Sequence, residues 1–595
     1  MTGSLKLISK RRALLGDLLT YSPVLVCLLI MLPRLLSPQF GLLDDGVTIS
    51  AARHVIAGDW SIWNMGADAG TGRFRPAYWL AYSAVYRLSA DDPFPFFLAN
   101  GLVFAGITFG LVCLTRAAGG SRLQAAVAGL LFALSGPAIE NFYTLSKGEP
   151  FQLLWLVGSL LVIAALPHRR SSLGKTGALL MAAFLVFLAD ATKETSLAMI
   201  PVSLAWWFTG WIRRKANQDR RGFGVRSAYL LATVLATVVY LGLRACFVWQ
   251  ATPADNYAAR YSLQLSQILA TGFRWAGWLA RDFPYLVPLV TLFTVGWLLR
   301  KRAAQGDLLL DAVVWMGGWV LVFLPWSAPT VEYFLLPFAA GCSVFSGILI
   351  GQAGSAVLST RKMERFLAVI ALVLAAGLLL TTLPNNASNG QQQLAVDAAN
   401  ADMLDYLASS LPPGSVVIVN IQDPNEYVAE IALHLDVIRD RPDLVVDHFS
   451  YQEALLSPEV DPPYVVLAPS VENQPRLAVR MGVIEPTVRQ WNESMLQFLG
   501  GSLEVEYETE RRFRLLKVDL LRVFCPLFPA REYCHVAGPA IDRRLFSYGW
   551  TVYRLAGEAQ GSVAGVPSLD RGLGTRSASW PAGARLAPPR REGAR

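Results

Sequence analysis

Long apolar runs separated by short polar loops fill the chain up to residue 384, and a different pattern follows. A membrane-crossing helix needs about 20 mostly apolar residues. Such runs fall at 18–36, 94–114, 122–139, 150–166, 176–190, 196–212, 227–248, 284–299, 312–326, 333–351 and 366–384. They predict an α-helical polytopic membrane module, 1–384, with about eleven transmembrane helices. The first run lacks a small-residue cleavage site and reads as an anchor rather than a signal peptide. Beyond 384 the periods shorten. A helix is expected at 397–410, a turn at Pro412-Pro413-Gly414, a strand at 416–419, a helix near 424–436, and strands at 444–449 and 464–468. This alternation predicts a small α/β domain over 385–556. Residues 557–595, rich in Gly, Ala, Pro, Ser and Arg, predict a disordered tail.

Composition agrees. Charged residues make up 16% of the 595 and hydrophobic residues 53%, whereas a soluble chain carries about 25% charged. The net charge of +8 does not point to nucleic acid. Its basic residues lie in short loops between apolar runs rather than on one soluble face. Those loops give an orientation. Lys6, Lys10, Arg11, Arg12, Arg116, Arg122, Arg169, Arg170, Lys175, the cluster from Arg213 to Arg226, Arg300–Arg302 and Arg361–Arg365 all fall on one side. The excess of Lys and Arg marks that side as cytoplasmic. The loops at 37–93, 140–149, 190–195, 249–283 and 327–332, and everything after 384, are then outside. The Ala/Arg/Leu-rich composition points to a bacterial inner membrane. Cys27, Cys113, Cys246 and Cys342 read as packing within spans. Cys525 and Cys534 lie in the outer domain, where a disulfide and two free thiols both remain open.

The first outer loop is too long for a connector and too rich in Trp, Phe and Tyr for disorder. Amphipathic pieces at 47–57 and 76–88 suit the membrane interface. Asp44 and Asp45 open the loop. Asp45 is a fair N-cap for the helix that follows, but a cap needs one acid. A carboxylate pair at a membrane surface also suits proton acceptance from a hydroxyl or a divalent cation. Further ionisable groups recur at the same face: Arg73, Arg75, Glu140, Lys147, Glu149, Asp190, Lys193, Glu194 and Arg244. Singly, each reads as snorkelling or as a structural ion pair such as Asp190 with Lys193. Together they mark a site or pathway.

Residues 1–384 resemble the C-type (GT-C) membrane glycosyltransferases, the superfamily of protein O-mannosyltransferases, aminoarabinose transferases and arabinosyltransferases. The resemblance lies in the first span, in the acidic pair Asp44-Asp45 opening a long outer loop, in the basic-Pro segment Arg75-Pro76-Ala77, and in Glu149-Pro150 as a second acidic position. Arg75-Pro76-Ala77 lacks that segment's second proline, and the oligosaccharyltransferase Trp-Trp-Asp signature is missing. The resemblance implies a polyprenyl-phosphate-linked sugar as donor, a glycan, lipid or protein as acceptor, and inversion at the anomeric carbon. It also implies an acid as base and cations on the leaving phosphate. On that basis Asp44 is expected as the base and Asp45 as its support. Arg75, Arg73, Lys147 and Lys193 are expected on the phosphate, and Glu149 on the acceptor. Asp45 and Glu149 are the expected ligands of any Mg or Mn ion. The loop at 249–283, with Tyr257, Arg260, Tyr261, Trp275 and Trp278, reads as an interfacial anchor or a gate. A transporter or flippase for a lipid-linked saccharide is the alternative, and would favour ionisable groups at the bilayer midplane. A non-enzymatic scaffold and a lipid-linked-saccharide ligase are the remaining readings.

Overall fold

Apolar segments in a bilayer must satisfy their backbone groups internally, so they fold as helices. The computed structural model describes residues 2–555 apart from position 43, 66–72, 169–170, 216–219, 249–260, 301–305, 327–331, 359–360, 421–423, 449–463, 468–469, 472–502, 515, 519–540 and 544. Its helices are α1 (Thr2–Leu36), α2 (Asp45–Ala57), α3 (Pro76–Ser89), α4 (Pro93–Ala117), α5 (Arg122–Ala133), α6 (Gly136–Tyr143), α7 (Glu149–Ala164) and α8 (Ser172–Asp190). They continue with α9 (Met199–Lys215), α10 (Arg220–Val248), α11 (Leu265–Asp282), α12 (Leu286–Arg300), α13 (Gly306–Phe323), α14 (Leu336–Val357), α15 (Lys362–Ser410) and α16 (Pro424–Leu433).

Every expected apolar run falls on a helix, and the protein is an integral membrane protein. Among the described residues, 6 helices are long and apolar enough to cross a bilayer alone, drawn from α1, α4, α8, α10, α14 and α15. The run at 122–139 is not one straight span. It is divided into α5 and α6, bent by 55°, because Ser135 caps α6 and Pro137 sits in its first turn. α7 and the apolar stretch Leu308–Phe323 are shorter apolar helices. Small residues let the bundle close. A Cβ on Gly347 of α14 would lie 2.7 Å from the Gln124 carbonyl of α5, so only glycine permits that approach.

α15 departs from the expected break after 384. It runs unbroken through Pro384 and a polar stretch to Ser410, 49 residues in all. The polar residues stay helical because their side chains find partners outside the helix. Asn386 donates to the Leu134 carbonyl, while Asn385 and Ser388 exchange hydrogen bonds with Val518 and Leu516.

The C-terminal unit is α/β. Its strands are β1 (Val416–Asn420), β2 (Val445–His448), β3 (Tyr464–Leu467), β4 (Ser470–Val471), β5 (Leu503–Arg514), β6 (Lys517–Val518), β7 (Ile541–Asp542) and β8 (Leu545–Leu555). The main sheet runs β2-β1-β3-β8-β4, with β5 also on β8. β1 is parallel to β2 and β3, whereas β8 is antiparallel to β3 and β5. The end of α15 packs on this sheet through Met403, Leu404 and Leu407 against Val417, Tyr548, Trp550 and Val552. Asn400 of α15 accepts hydrogen bonds from both Tyr548 and Trp550.

The segment 249–283 forms α11 over its second half. Trp275 is buried and stacks on Phe323 at 5.5 Å, and Tyr261 packs edge-on against Trp326 at 4.9 Å. Trp275 is therefore a core residue rather than an interfacial anchor. Tyr257, Arg260, the side chain of Trp278, Cys525, Cys534 and the tail 557–595 lie outside the described residues.

Candidate active site

The described parts of the first long loop pack on a shared aromatic core. Phe40, Ile49, Met65, Tyr78, Trp79 and Tyr82 bury against Phe96, Phe97 and Leu145. α2 and α3 lie on this cluster. They aim the turn 41–47 at the loop 144–149 between α6 and α7.

Asp44 and Asp45 share that turn but not an environment. Asp44 occupies the cap position of α2 with φ 68°, in the left-handed region, and its carboxylate makes no cap hydrogen bond. Half exposed, it receives a hydrogen bond from the Lys147 ammonium at 3.3 Å. Asp45 is buried. Its Oδ1 accepts from the Ser146 hydroxyl at 2.6 Å and its Oδ2 from the Gly41 amide at 2.8 Å. The expected N-cap role is thus held by neither carboxylate. Burial pushes the Asp45 carboxyl up to about 7, against the lowering effect of Ser146 and Gly41.

That shift has a stability consequence. In the unfolded chain the group ionises near its ordinary value of about 4. From there to about 7 the folded state binds the extra proton, so stability falls as pH rises and the loss is complete above about 7. Asp45→Asn removes the buried charge and keeps hydrogen-bonding groups. Its thermal-unfolding temperature should exceed wild type more at pH 8 than at pH 5, with about 4 kcal/mol as the ceiling. An equal offset at both pH values would show that Asp45 is not a buried titrating acid.

Glu149 is the first residue of α7 and is buried. It pairs with Lys193, leaving its Oε2 without a partner among the described residues. Asp190 instead accepts from Thr237 at 3.3 Å, so the sequence-based pairing of Asp190 with Lys193 does not form. Lys147 and Lys193 sit over the same Tyr333 ring, at 4.7 and 5.3 Å from its centroid. Burial lowers the Lys193 pKa, Glu149 opposes that, and the nearby charges of Arg75 and Lys147 lower it further. For Lys147 burial acts downward too, but Asp44, Tyr333, Glu149 and Asp45 outweigh it and hold the ammonium above its ordinary value.

Arg75 precedes α3 and lies over Tyr78 and Trp79, 4.9 and 5.7 Å from their rings. Its segment is pinned to the loop after α8. The Phe74 amide donates to Glu194 at 3.2 Å and the Ala77 amide to the Ala191 carbonyl at 3.0 Å. Arg73 lines a small cleft with Trp63, Met65, Phe74 and Arg75. The structure therefore gathers Asp44, Asp45, Lys147, Glu149, Lys193 and Arg75 on one end of the bundle, with Arg73 at its flank. The two expected metal ligands, Asp45 and Glu149, are both engaged by protein groups. Asp45 uses both oxygens on Ser146 and Gly41, and Glu149 gives one to Lys193. No three His, Cys, Asp or Glu side chains converge on a metal position among the described residues.

Four residues absent from the sequence-based set lie against this cluster. Arg34, at the end of α1, donates to Asp397 of α15 at 2.6 Å and to the Gln39 carbonyl at 2.8 Å, with both side chains buried. Glu430 and His434, from α16 and the turn after it, contact the backbone of the acidic turn. Arg34 had one visible signal, a lone charge at the end of an apolar run. The other three had none.

No protein-family model matches the chain, and no curated protein matches it. Solved structures do. The Archaeoglobus fulgidus oligosaccharyltransferase in its apo form superposes with a TM-score of 0.50 at 11% identity, covering 90% of this chain and 88% of that one. The chain has a GT-C fold. Two other GT-C structures are similar at lower scores. One is the oligosaccharyltransferase AglB from Archaeoglobus fulgidus with an inhibitory peptide and a dolichol-phosphate: TM-score 0.46, 12% identity, 75% of this chain and 69% of that one. The other is ArnT from Cupriavidus metallidurans bound to undecaprenyl phosphate: TM-score 0.40, 14% identity, 91% and 98%. In this GT-C fold the long loop after α1 carries the acidic pair, and the C-terminal unit stands over the same face.

Proposed function

We propose that the protein is a membrane glycosyltransferase that moves a sugar from a polyprenyl-phosphate donor to an extracytoplasmic glycan, lipid or protein hydroxyl. The observation that carries this is the pairing of half-exposed Asp44 with Lys147, beside Lys193 and Arg75, at one end of a GT-C bundle. Asp44 is the base. The acceptor oxygen bonds to the anomeric carbon as the carbon–phosphate-oxygen bond breaks, the acceptor proton passes to Asp44, and polyprenyl phosphate leaves. A single displacement of this kind inverts the anomeric centre. Lys147, Lys193 and Arg75 hold the leaving phosphate. Lys147 rests on Asp44. An entering phosphate competes for the ammonium and frees the Asp44 oxygen for the acceptor. Asp45, held by Ser146 and Gly41, supports the turn. Glu149 orients Lys193 and keeps one oxygen for the acceptor.

The basic loops support a cytoplasmic N-terminus with the C-terminal unit outside, and the Ala/Arg/Leu-rich composition supports a bacterial inner membrane. Transport of a lipid-linked saccharide would favour ionic groups at the midplane. Here the Asp44–Lys147 and Glu149–Lys193 pairs, with Arg75 beside them, gather at the end of the bundle where the first long loop lies, which favours transfer. Purified protein should bind undecaprenyl phosphate, and Lys147→Met should weaken that binding about 10-fold or more, since a hydrogen bond to a charged group is worth about 1.5–3 kcal/mol. Turnover of a panel of polyprenyl-phosphate sugars, with membrane extract as acceptor source, tests the reaction. A wild-type chain that binds no polyprenyl phosphate would remove the main support for this reading.

A further inference from the structure

The base proposed above stands on a turn that does not hold itself. The first amides of a helix have no partner within it and need an acceptor. In α2 the residue in the cap position, Asp44, supplies none. The acceptor comes from the other end of the chain. Glu430 of α16 takes the Gly46 amide at 2.7 Å and the Val47 amide at 3.2 Å, across 384 and 383 residues of sequence. A carboxylate at a helix N-terminus also meets the positive end of the helix dipole.

The contact is close-fitted. A Cβ on Gly46 would lie 2.7 Å from Glu430 Oε2, 2.9 Å from His434 Cδ2 and 3.2 Å from Leu433 Cβ, so α16 reaches this amide only because residue 46 is glycine. His434 Nε2 lies 3.1 Å from the Gly41 carbonyl. Burial, with Arg439 nearby, lowers the His434 pKa to about 3, so the ring is neutral and its Nε2–H donates to that carbonyl. The Gly41 amide in turn donates to Asp45. Both ends of the turn 41–47 are therefore gripped by one stretch of the C-terminal unit. Burial, and then Asp44 and Asp45, raise the Glu430 pKa well above the usual carboxylate range, against the lowering effect of the Val47 and Gly46 amides. A carboxyl group placed beside two other acids is expensive to bury, and the two amides it caps offset that cost.

We propose that Glu430 is a positioning residue, by which the C-terminal unit fixes the acidic turn and holds Asp44 in reacting geometry. This rests on the reading of Asp44 as the base. Glu430 touches neither donor nor acceptor. Its removal should lower turnover while leaving polyprenyl-phosphate binding intact, because Lys147, Lys193 and Arg75 stand on other elements.

The test uses the full-length protein in nanodiscs, as Glu430→Ala, Glu430→Gln and wild type. Three quantities are measured: hydrogen exchange of the amides in 45–49, the dissociation constant for undecaprenyl phosphate, and kcat with whichever polyprenyl-phosphate sugar wild type consumes. Glu430→Ala should speed exchange at Gly46 and Val47 and lower kcat about 10- to 100-fold, as expected for a reacting group misplaced by about 1 Å. Undecaprenyl phosphate binding should stay within about twofold of wild type, the size of an effect too small to remove a charged contact. Glu430→Gln, whose amide oxygen can still accept, should recover part of both losses. Faster exchange with unchanged kcat overturns the proposal. So does equal loss of kcat and of donor binding, which would make Glu430 a general stabiliser. If wild type consumes no donor, the transferase reading fails separately. The grip on the turn then stands if exchange at Gly46 and Val47 rises in Glu430→Ala, and falls if it does not.

Discussion

Asp44→Asn should lower turnover by about 10²–10⁴-fold, the usual contribution of a positioned general base. The substitution keeps the side-chain volume and the left-handed backbone, which asparagine tolerates as aspartate does. It removes the proton acceptor and the charge that Lys147 now pairs with. Freed from Asp44, Lys147 should bind undecaprenyl phosphate at least as well as in wild type. Loss of kcat with equal or tighter lipid-phosphate binding is therefore the expected signature. Parallel loss of both would move Asp44 from base to structural support. Should Asp45→Asn carry the catalytic loss instead, the two acids exchange roles.

The second large effect is structural. Arg34 and Asp397 are both buried, and their ion pair joins the end of α1 to α15. The Arg34 guanidinium also lies 3.9 Å from the centre of the Phe97 ring. Asp397→Leu strands a buried cation and should cost about 3–5 kcal/mol in unfolding free energy. Replacing both partners, Arg34→Met with Asp397→Leu, should recover most of that, since an apolar pair of similar volume often matches a buried ion pair. Unfolding in detergent, followed for the two single variants and the double, measures this. A double variant no better than Asp397→Leu would show that the charge itself is required by the fold.

How far the sequence foretells this molecule depends on the range of the interaction. The apolar helices were legible because apolar length is a local property, although among the described residues only 6 are long and apolar enough to cross a bilayer alone. α2 and α3 were legible because amphipathic runs are local signals. The bend at α5–α6 needed Pro137 to be weighed against an apolar run that continues past it. The continuity of α15 was hidden because Asn385, Asn386 and Ser388 look like a linker until their partners in other elements are known. In the sheet, Phe546, Tyr548, Trp550 and Val552 alternate as a buried strand face should. Its partner β5 lies well upstream, so neither strand marks the pairing. The acidic pair, Lys147, Glu149, Lys193 and Arg75 could be nominated from type and position. That Glu149 takes Lys193, and that Asp190 does not, depends on how α7 and α8 pack. The contribution of α16 lies almost four hundred residues from the turn it grips, and no local pattern could reveal it.

The unbroken α15 also makes a lever. Ser410 lies about 39 Å beyond Pro384 along the helix at 1.5 Å per residue. Proline is the usual place for a helix to flex, and a bend of about 10° there would carry the far end about 7 Å across the membrane surface. Asp397 sits midway along that arm and is tied to Arg34. The arm is thus clamped between its fulcrum and its load, and a swing of the C-terminal unit about Pro384 would strain that buried charge pair.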